Sequence, residues 1–243
     1  GHGGGGNIIT FRDSRLYKMA NAFMLAWQYG FPRVMSSYAW NRNMVDGKDK
    51  NDWVGPPAEG NSVQNTKPIV VKSDGSCDNG WICEHRWRQI GNMVPFRNLV
   101  AEESVENWWD NWANQIAFSR GNKGFIAING DQFCLAAHLN TGLPEGIYCD
   151  VISGNVNGSF CTGRKVLVNS EGRALIDVPH WIEDPVMALH VVNYDNTCIN
   201  SCDISLSGAG ARINSPSEAG VSNPPSDFQR TVVLIEKQTN FGQ

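Results

Sequence analysis

From residue 115 to residue 192 the chain is cut into short apolar segments by turn residues at even intervals, and no other feature constrains its fold as much. The segments are Ile116-Ala117-Phe118, Gly124-Phe125-Ile126-Ala127-Ile128, Gly146-Ile147-Tyr148-Cys149-Asp150-Val151-Ile152, Lys165-Val166-Leu167-Val168, Ala174-Leu175-Ile176-Asp177-Val178 and Ala188-Leu189-His190-Val191-Val192. They are too short for helices, and most are rich in β-branched residues, so they read as strands. Gly121-Asn122-Lys123-Gly124 and Ser170-Glu171-Gly172-Arg173 supply turns between them. Short strands at regular spacing predict an antiparallel sandwich.

The first hundred residues read differently. Gly1-His2-Gly3-Gly4-Gly5-Gly6 loses too much backbone entropy on ordering to be regular structure, and is expected to be a loop. From a cap at Asp13 or Ser14, Leu16, Met19, Phe23, Met24 and Trp27 recur at helical spacing, with Gly30 as the stop. Phe31-Pro32-Arg33-Val34-Met35-Ser36 is then expected to be a buried strand, which would make an α/β unit. Residues 38–80, rich in Asn, Asp, Gly and Pro, read as a long excursion with one extended piece at Pro68-Ile69-Val70-Val71. A second helix is expected over residues 81–99, with Ile82, Ile90, Met93 and Val94 on its apolar side and Pro95 bending or ending it. The fold class is therefore α/β followed by all-β. After a Gly, Ser and Pro rich stretch at 205–227, Thr231-Val232-Val233-Leu234-Ile235 is a last strand candidate.

With 243 residues, 41% of them hydrophobic, the chain can bury a core, as one large domain or two small ones. A formal net charge of -4 argues against nucleic acid as a partner, since phosphate binding needs a basic face. No apolar run approaches the roughly 20 residues that span a bilayer, so no membrane partner is expected. The seven cysteines fall into neighbouring pairs, Cys77 with Cys83, Cys149 with Cys161 and Cys198 with Cys202, leaving Cys134 over. Three short disulfides and one buried thiol is the simplest account. Zinc is the competing one, but it lacks any Cys-x-x-Cys spacing. Asn157-Gly158-Ser159 is a glycosylation acceptor, which suits an oxidising, secreted route; Gly1 is not a start residue, and no signal peptide is visible.

Nothing in the residues alone selects a catalytic group. The acids Asp13, Asp46, Asp49, Asp52, Glu84, Glu102 and Glu103 scatter without a pair that spacing singles out, and no Gly-x-Ser-x-Gly elbow is present. The Gly-rich start lacks the Lys and Ser or Thr of a phosphate loop. The neighbours Trp108, Trp109 and Trp112 could stack on sugars, although such clusters more often pack a core.

Longer motifs are more specific. Leu16-Tyr17-Lys18-Met19-Ala20, Tyr29-Gly30-Phe31-Pro32-Arg33-Val34-Met35-Ser36-Ser37-Tyr38, Asn51-Asp52-Trp53-Val54-Gly55-Pro56-Pro57, Cys83-Glu84-His85-Arg86-Trp87-Arg88-Gln89-Ile90 and Leu143-Pro144-Glu145-Gly146 follow one another in an order that resembles the chloride-dependent animal α-amylases. The likeness runs over most of residues 1 to about 192. It implies that residues 1–100 are the last part of a (β/α)8 barrel, that residues 101–192 are a C-terminal antiparallel Greek-key β-sandwich domain, and that residues 193–243 are an extension of unknown role. It implies sugar contacts for His2, Asp52 and Trp53 and a chloride ligand in Arg33, whose fixed charge suits an anion near a catalytic acid. His85, Arg86 and Trp87 look structural. The same resemblance puts the catalytic carboxylates, the calcium ligands and the remaining chloride ligands before residue 1. It implies that the complete enzyme cleaves internal α-1,4-glucosidic bonds of starch and glycogen with retention, and that this chain alone is inactive and needs the missing part of the barrel as partner. The alternative is a non-catalytic carbohydrate-binding or structural module.

Overall fold

The computed structural model describes residues 9–51, 53–60, 65–157 and 160–192. They form two compact units, one up to Asn98 and one from Leu99.

In the first unit Thr10 caps a single turn, Phe11–Asp13, by accepting from the Arg12 amide at 3.3 Å, and the chain runs on into helix α1, Ser14–Ala26. The buried face of α1 holds Tyr17, Asn21, Ala22, Leu25 and Ala26. That departs from the expected stripe, since Leu16 is 50% exposed. Ala22 and Ala26 are almost fully buried, so the packed face of α1 is not the one with the largest side chains. The helix stops at Ala26, capped by Trp27, and not at the expected Gly30, which lies four residues further on in the left-handed region at φ 63°. The Gly30 carbonyl accepts from Arg97 Nη2 at 2.6 Å, and Arg97 Nη1 donates to the Trp27 carbonyl.

Residues 31–36 are not a strand. They are extended coil with Phe31 86% exposed, because strand identity needs a neighbour to take up the backbone groups and only the end of the segment finds one. There Tyr38 bridges Trp81, Ile82 N donates to Ser37 O at 2.9 Å, and Ala39 N donates to Gly80 O at 2.8 Å. Strands β1, Met44–Val45, and β2, Lys48–Asp49, form a tight hairpin whose Asp46 and Gly47 both have positive φ. The piece at 68–71 makes a single bridge, Val71 to Cys77. The helix expected over 81–99 is broken into a turn at Glu84–Arg86, helix α2, Arg88–Gly91, and helix α3, Met93–Leu99. Pro95 lies in the first turn of α3, where no intrahelical amide is needed, and the expected helix is interrupted just before it, at Asn92. Ile90, Met93 and Phe96 are fully buried, whereas Val94, expected among them, is 43% exposed.

The second unit is built from strands β3, Val105–Asp110, β4, Gln115–Arg120, β5, Gly124–Asn129, β6, Leu135–Asn140, β7, Gly146–Cys149, β8, Val156–Asn157, β9, Phe160–Cys161, β10, Lys165–Val168, β11, Arg173–Val178, and β12, Val186–His190. Pairing is nested and antiparallel: β8 with β9, β7 with β10, β6 with β11, β5 with β12, and then β5 with β4 and β4 with β3. One sheet has the order β12, β5, β4, β3. Strands β4, β5 and β12 are buried at every residue, with apolar or small residues along their middles and the polar Gln115, Arg120, Asn129 and His190 at their ends, while β10 and β11 alternate buried and exposed, the mark of one dry and one wet face. The core between them contains Phe125, Ala127, Leu135, Tyr148, Val168, Ile176, Val178 and Leu189, with Trp109 packed against it.

Polar groups inside this unit are held by several bonds each. Asp150 Oδ1 accepts from the amides of Ile152 and Ala188 at 3.1 and 3.0 Å, and its Oδ2 meets Arg164 Nε and Nη2 at 3.0 and 2.8 Å. Arg164 continues to the Val186 carbonyl at 2.8 Å. The Asp150 carboxylate is fully buried, so this pairing joins the end of β7 to β12 from the inside. The cysteine pairs form where they fall in the described residues: Cys77 with Cys83, Cα atoms 5.8 Å apart, and Cys149 with Cys161, 5.3 Å apart. Cys198 and Cys202 lie outside the described residues, as does the strand candidate at 231–235. Cys134 is exposed, not buried: it lies in the loop after β5, one residue before the strand that turns inward.

Candidate functional site

The motif residues of the first unit converge on the segment 36–54, which the rest of that unit fixes in place. Ser36 Oγ accepts from Cys83 N at 3.0 Å and Ser37 N donates to Glu84 Oε2 at 2.8 Å, with Glu84 fully buried. The Cys77–Cys83 bridge and the left-handed Cys83, φ 57°, set that anchor at the right angle. Beyond it the rings of Phe11, Trp40, Tyr38 and Trp81 follow one another at centroid distances of 6.4, 5.9 and 6.1 Å. The Arg12 guanidinium lies over Phe11 and Trp40 at 4.9 and 4.8 Å, a cation–π sandwich closed by its bond to the Trp40 carbonyl at 2.6 Å.

Asp49 organises the loop that follows. Its carboxylate accepts from Trp40 Nε1 at 2.8 Å, Asn43 N at 2.8 Å and Asn51 N at 3.0 Å. Desolvation pushes its pKa up, but those donors together with the Arg42 charge outweigh it and hold Asp49 below the usual carboxylate range. It is a fixed anion, suited to bracing a loop and unsuited to carrying a proton. Asn51 Nδ2 donates to Asn41 O at 2.7 Å, and Tyr38 Oη donates to Val54 O at 3.1 Å. Burial raises the Tyr38 pKa and keeps that hydroxyl a donor. Between these two ties the turn from Asn51 to Val54, closed at 3.1 Å, presents Trp53 with 78% of its surface open. An exposed indole beside amide side chains can stack on the apolar face of a pyranose ring.

Among the other residues marked by the sequence, Arg33 is exposed on the extended segment, and no hydrogen bond, ion pair or ring contact joins it to Trp53. His2 and Asp52 lie outside the described residues. Asn157 is exposed in β8, opposite Phe160 of β9. The ring of Trp87 packs edge-on against Tyr17 at 6.0 Å, a structural role as expected. Burial first, then the charge of Arg86, lowers the pKa of His85. Of the tryptophan cluster, Trp108 stacks on Phe118 at 5.9 Å and only Trp112 is open, at 79%. Spacing alone missed Asp49, Trp40 and Tyr38 as the frame of the Trp53 loop. The Asp46-Gly47 dipeptide is the signal that could have placed the hairpin and, with it, Asp49.

The sequence pattern of the family described as "Alpha amylase, C-terminal all-beta domain" matches residues 107–192. This chain carries the C-terminal all-β domain of an α-amylase. That domain corresponds to the nested strand pairs of the second unit. The likeness extends upstream of it: the chain is 57% identical over 191 residues to an α-amylase of Oryzias latipes, covering 78% of the chain and 37% of that protein. Pancreatic alpha-amylase 2a5 of Mus musculus is also 57% identical over 191 residues, and alpha-amylase 1B of Homo sapiens is 55% identical over 191. Among solved structures, wild-type α-amylase I of Eisenia fetida superposes with a TM-score of 0.70 at 49% identity over 79% of the chain and 38% of that structure, and a mutant of that enzyme solved with maltohexaose matches equally well. The chain thus spans a little over a third of the length of the amylases it matches.

Proposed function

We propose that these residues are the C-terminal part of a secreted α-amylase that cleaves internal α-1,4-glucosidic bonds of starch and glycogen with retention. The observation that carries the reading is the continuity of the match: identity of 57% runs over 191 residues, through both units and not the β domain alone. In this reading the first unit is the end of a (β/α)8 barrel, the second a Greek-key sandwich, and residues 193–243 an extension of unknown role. His2, Asp52 and Trp53 line the sugar cleft, and the relative solved with maltohexaose supports a glucan as ligand. The open face of Trp53 fits that role.

Arg33 supplies one guanidinium to the chloride site. Exposed on its segment, it fits as one wall of an anion site whose other ligands come from elsewhere in the complete enzyme. Calcium belongs to that complete enzyme as well. The partner of the first unit is the remainder of the barrel, and the exposed rings of Tyr29 and Phe31, each 86% open, suit a surface that other barrel elements cover. The two disulfides and the Asn157 sequon support the secreted route, and no helix of the described residues is long and apolar enough to cross a membrane.

The experiment is a chimaera: the part of the Oryzias latipes amylase that precedes its matched region, joined to this chain, beside the chain alone. Release of reducing ends from starch by the chimaera and none by the 243 residues alone is expected. A folded but inert chimaera, or turnover by the chain alone, would refute the proposal.

A further inference from the structure

Arg12 is exposed in the single turn before α1 and belongs to no buried face of the first unit. Its guanidinium is nevertheless fixed on a residue far along the chain. Nη2 donates to the Trp40 carbonyl at 2.6 Å, and the same group lies 4.8 Å from the centre of the Trp40 ring and 4.9 Å from that of Phe11. A planar cation held by a carbonyl and two rings keeps its orientation, which a flexible ammonium in its place would not. The charge of Arg42 opposes that of Arg12 while the charge of Asp49 offsets it, so the geometry does not favour an anionic ligand here.

Trp40 passes this hold on to the loop beyond it. Its Nε1 donates to Asp49 Oδ2 at 2.8 Å, and Asp49 Oδ1 accepts from the amides of Asn43 and Asn51 at 2.8 and 3.0 Å. Those two amides flank the β1–β2 hairpin, so both of its ends hang on one carboxylate, and that carboxylate is gripped by one indole. The Asn51 carbonyl then accepts from Val54 N at 3.1 Å, closing the turn that carries Trp53.

The inner end of the same segment is anchored separately, where Ser36 Oγ accepts from Cys83 N and Ser37 N donates to Glu84 Oε2. Losing the Arg12 side chain would therefore leave that anchor and the packed face of α1 in place. What it removes is the cation beside the indole and the bond at its carbonyl, at the outer end from which the Trp53 loop is hung.

We propose that Arg12 is a positioning residue for glucan binding: it touches no sugar, and sets the Trp53 loop in place through Trp40 and Asp49. The inference rests on the amylase reading and on Trp53 as a sugar contact.

The test has two arms. In the full chain, Arg12→Met should speed hydrogen exchange of the Asn43 and Asn51 amides roughly two- to fivefold, with the amides of α1 and the melting curve unchanged. In the chimaera, Arg12→Met should raise the KM for maltoheptaose roughly two- to fivefold at unchanged kcat. Arg12→Lys, which keeps the charge and loses the plane, should fall between the native chain and Arg12→Met in both arms. It also stands in if Arg12→Met fails to fold. Trp53→Ala should raise KM by itself, and adding Arg12→Met to it should raise KM no further.

Unmoved exchange at Asn43 and Asn51 in a folded variant would overturn the proposal. So would a fall in kcat with KM unchanged, or a rise in KM that is as large in the Trp53→Ala background as in the native one. Faster exchange in the chain, beside an active chimaera whose KM ignores Trp53→Ala, would sink the sugar role of Trp53 and the glucan role of Arg12 with it. An inert chimaera beside faster exchange would sink the amylase reading, while the link from Arg12 to the Trp53 loop would stand.

Discussion

Removing the Asp150 carboxylate should cost the β unit a large share of its stability, and the structure lets the cost be worked out. Asp150→Ala strips an acceptor from two buried amides, those of Ile152 and Ala188, at about 1–3 kcal/mol each. It also leaves Arg164, bound to it through Nε and Nη2, without its carboxylate. Removing one partner of a buried pair costs about 3–5 kcal/mol in general, so a loss near 4 kcal/mol is expected. Since domains are typically stable by about 5–15 kcal/mol, and urea slopes run about 1–3 kcal/mol per molar, the midpoint should fall by about 2 M. Asp150→Asn keeps one oxygen and the shape and should cost about half as much. Arg164→Met should be damaging too, and the double variant Asp150→Ala with Arg164→Met should be less damaged than the sum, with a coupling of about 1–3 kcal/mol. Urea titrations followed by circular dichroism supply the totals, and amide exchange at Ile152 and Ala188 supplies the local readout. A loss below about 1 kcal/mol for Asp150→Ala, or single losses that add to within about 0.5 kcal/mol, would refute the argument that this pair ties β7 to β12 from inside.

Burial depresses the pKa of His190 from 6.5 to about 4, so the unfolded chain takes up a proton that the folded one refuses. The stability it protects is complete above pH 6.5 and drains away as pH falls towards 4, by about 3 kcal/mol in all; urea midpoints across that window should fall in the native chain and stay flatter in His190→Leu. On the proposed chloride role of Arg33, starch hydrolysis by the chimaera should rise with chloride over a chloride-free buffer, and Arg33→Gln should abolish that rise while leaving the fold unchanged. Expression through a secretory pathway should add a glycan at Asn157, read as a mass shift removed by amidase treatment and absent in Asn157→Gln. An unmodified native chain would sink that expectation.

What could be read from the sequence followed physical lines. Strands such as Lys165–Val168 and Arg173–Val178 announced themselves because one face is wet and the alternation is printed in the residues. Leu135–Asn140 did not, since Ala136, Ala137 and His138 have neither alternation nor β-branching, and only pairing with Arg173–Val178 makes it a strand. Val105–Asp110 was hidden by Glu106 and Asn107, where the register with β4 shifts and Asn107 takes a positive φ. The reverse failure came at 31–36, where an apolar, β-prone run lacks a ladder of partners along its length. At the site, Trp53 could be singled out by its motif, but the frame that stiffens it could not. Asp49 works through donors from Trp40, Asn43 and Asn51, a convergence set by a hairpin and not by any repeat in the sequence. Asn129 is the same case at the other unit: as a lone asparagine ending a strand it is ordinary, and only its bonds to the Phe133 and Val178 carbonyls give it weight.

The exposed sulfur of Cys134, between Phe133 and the His180–Trp181 pair, makes a reporter position. A maleimide fluorophore attached there would sit beside the His180–Trp181 pair, and its emission would register a change at that end of the β unit. The same thiol also sets a handling condition, because two copies brought together under air can be joined covalently through it, so preparations kept reduced and preparations left to oxidise should differ in mass on a non-reducing gel.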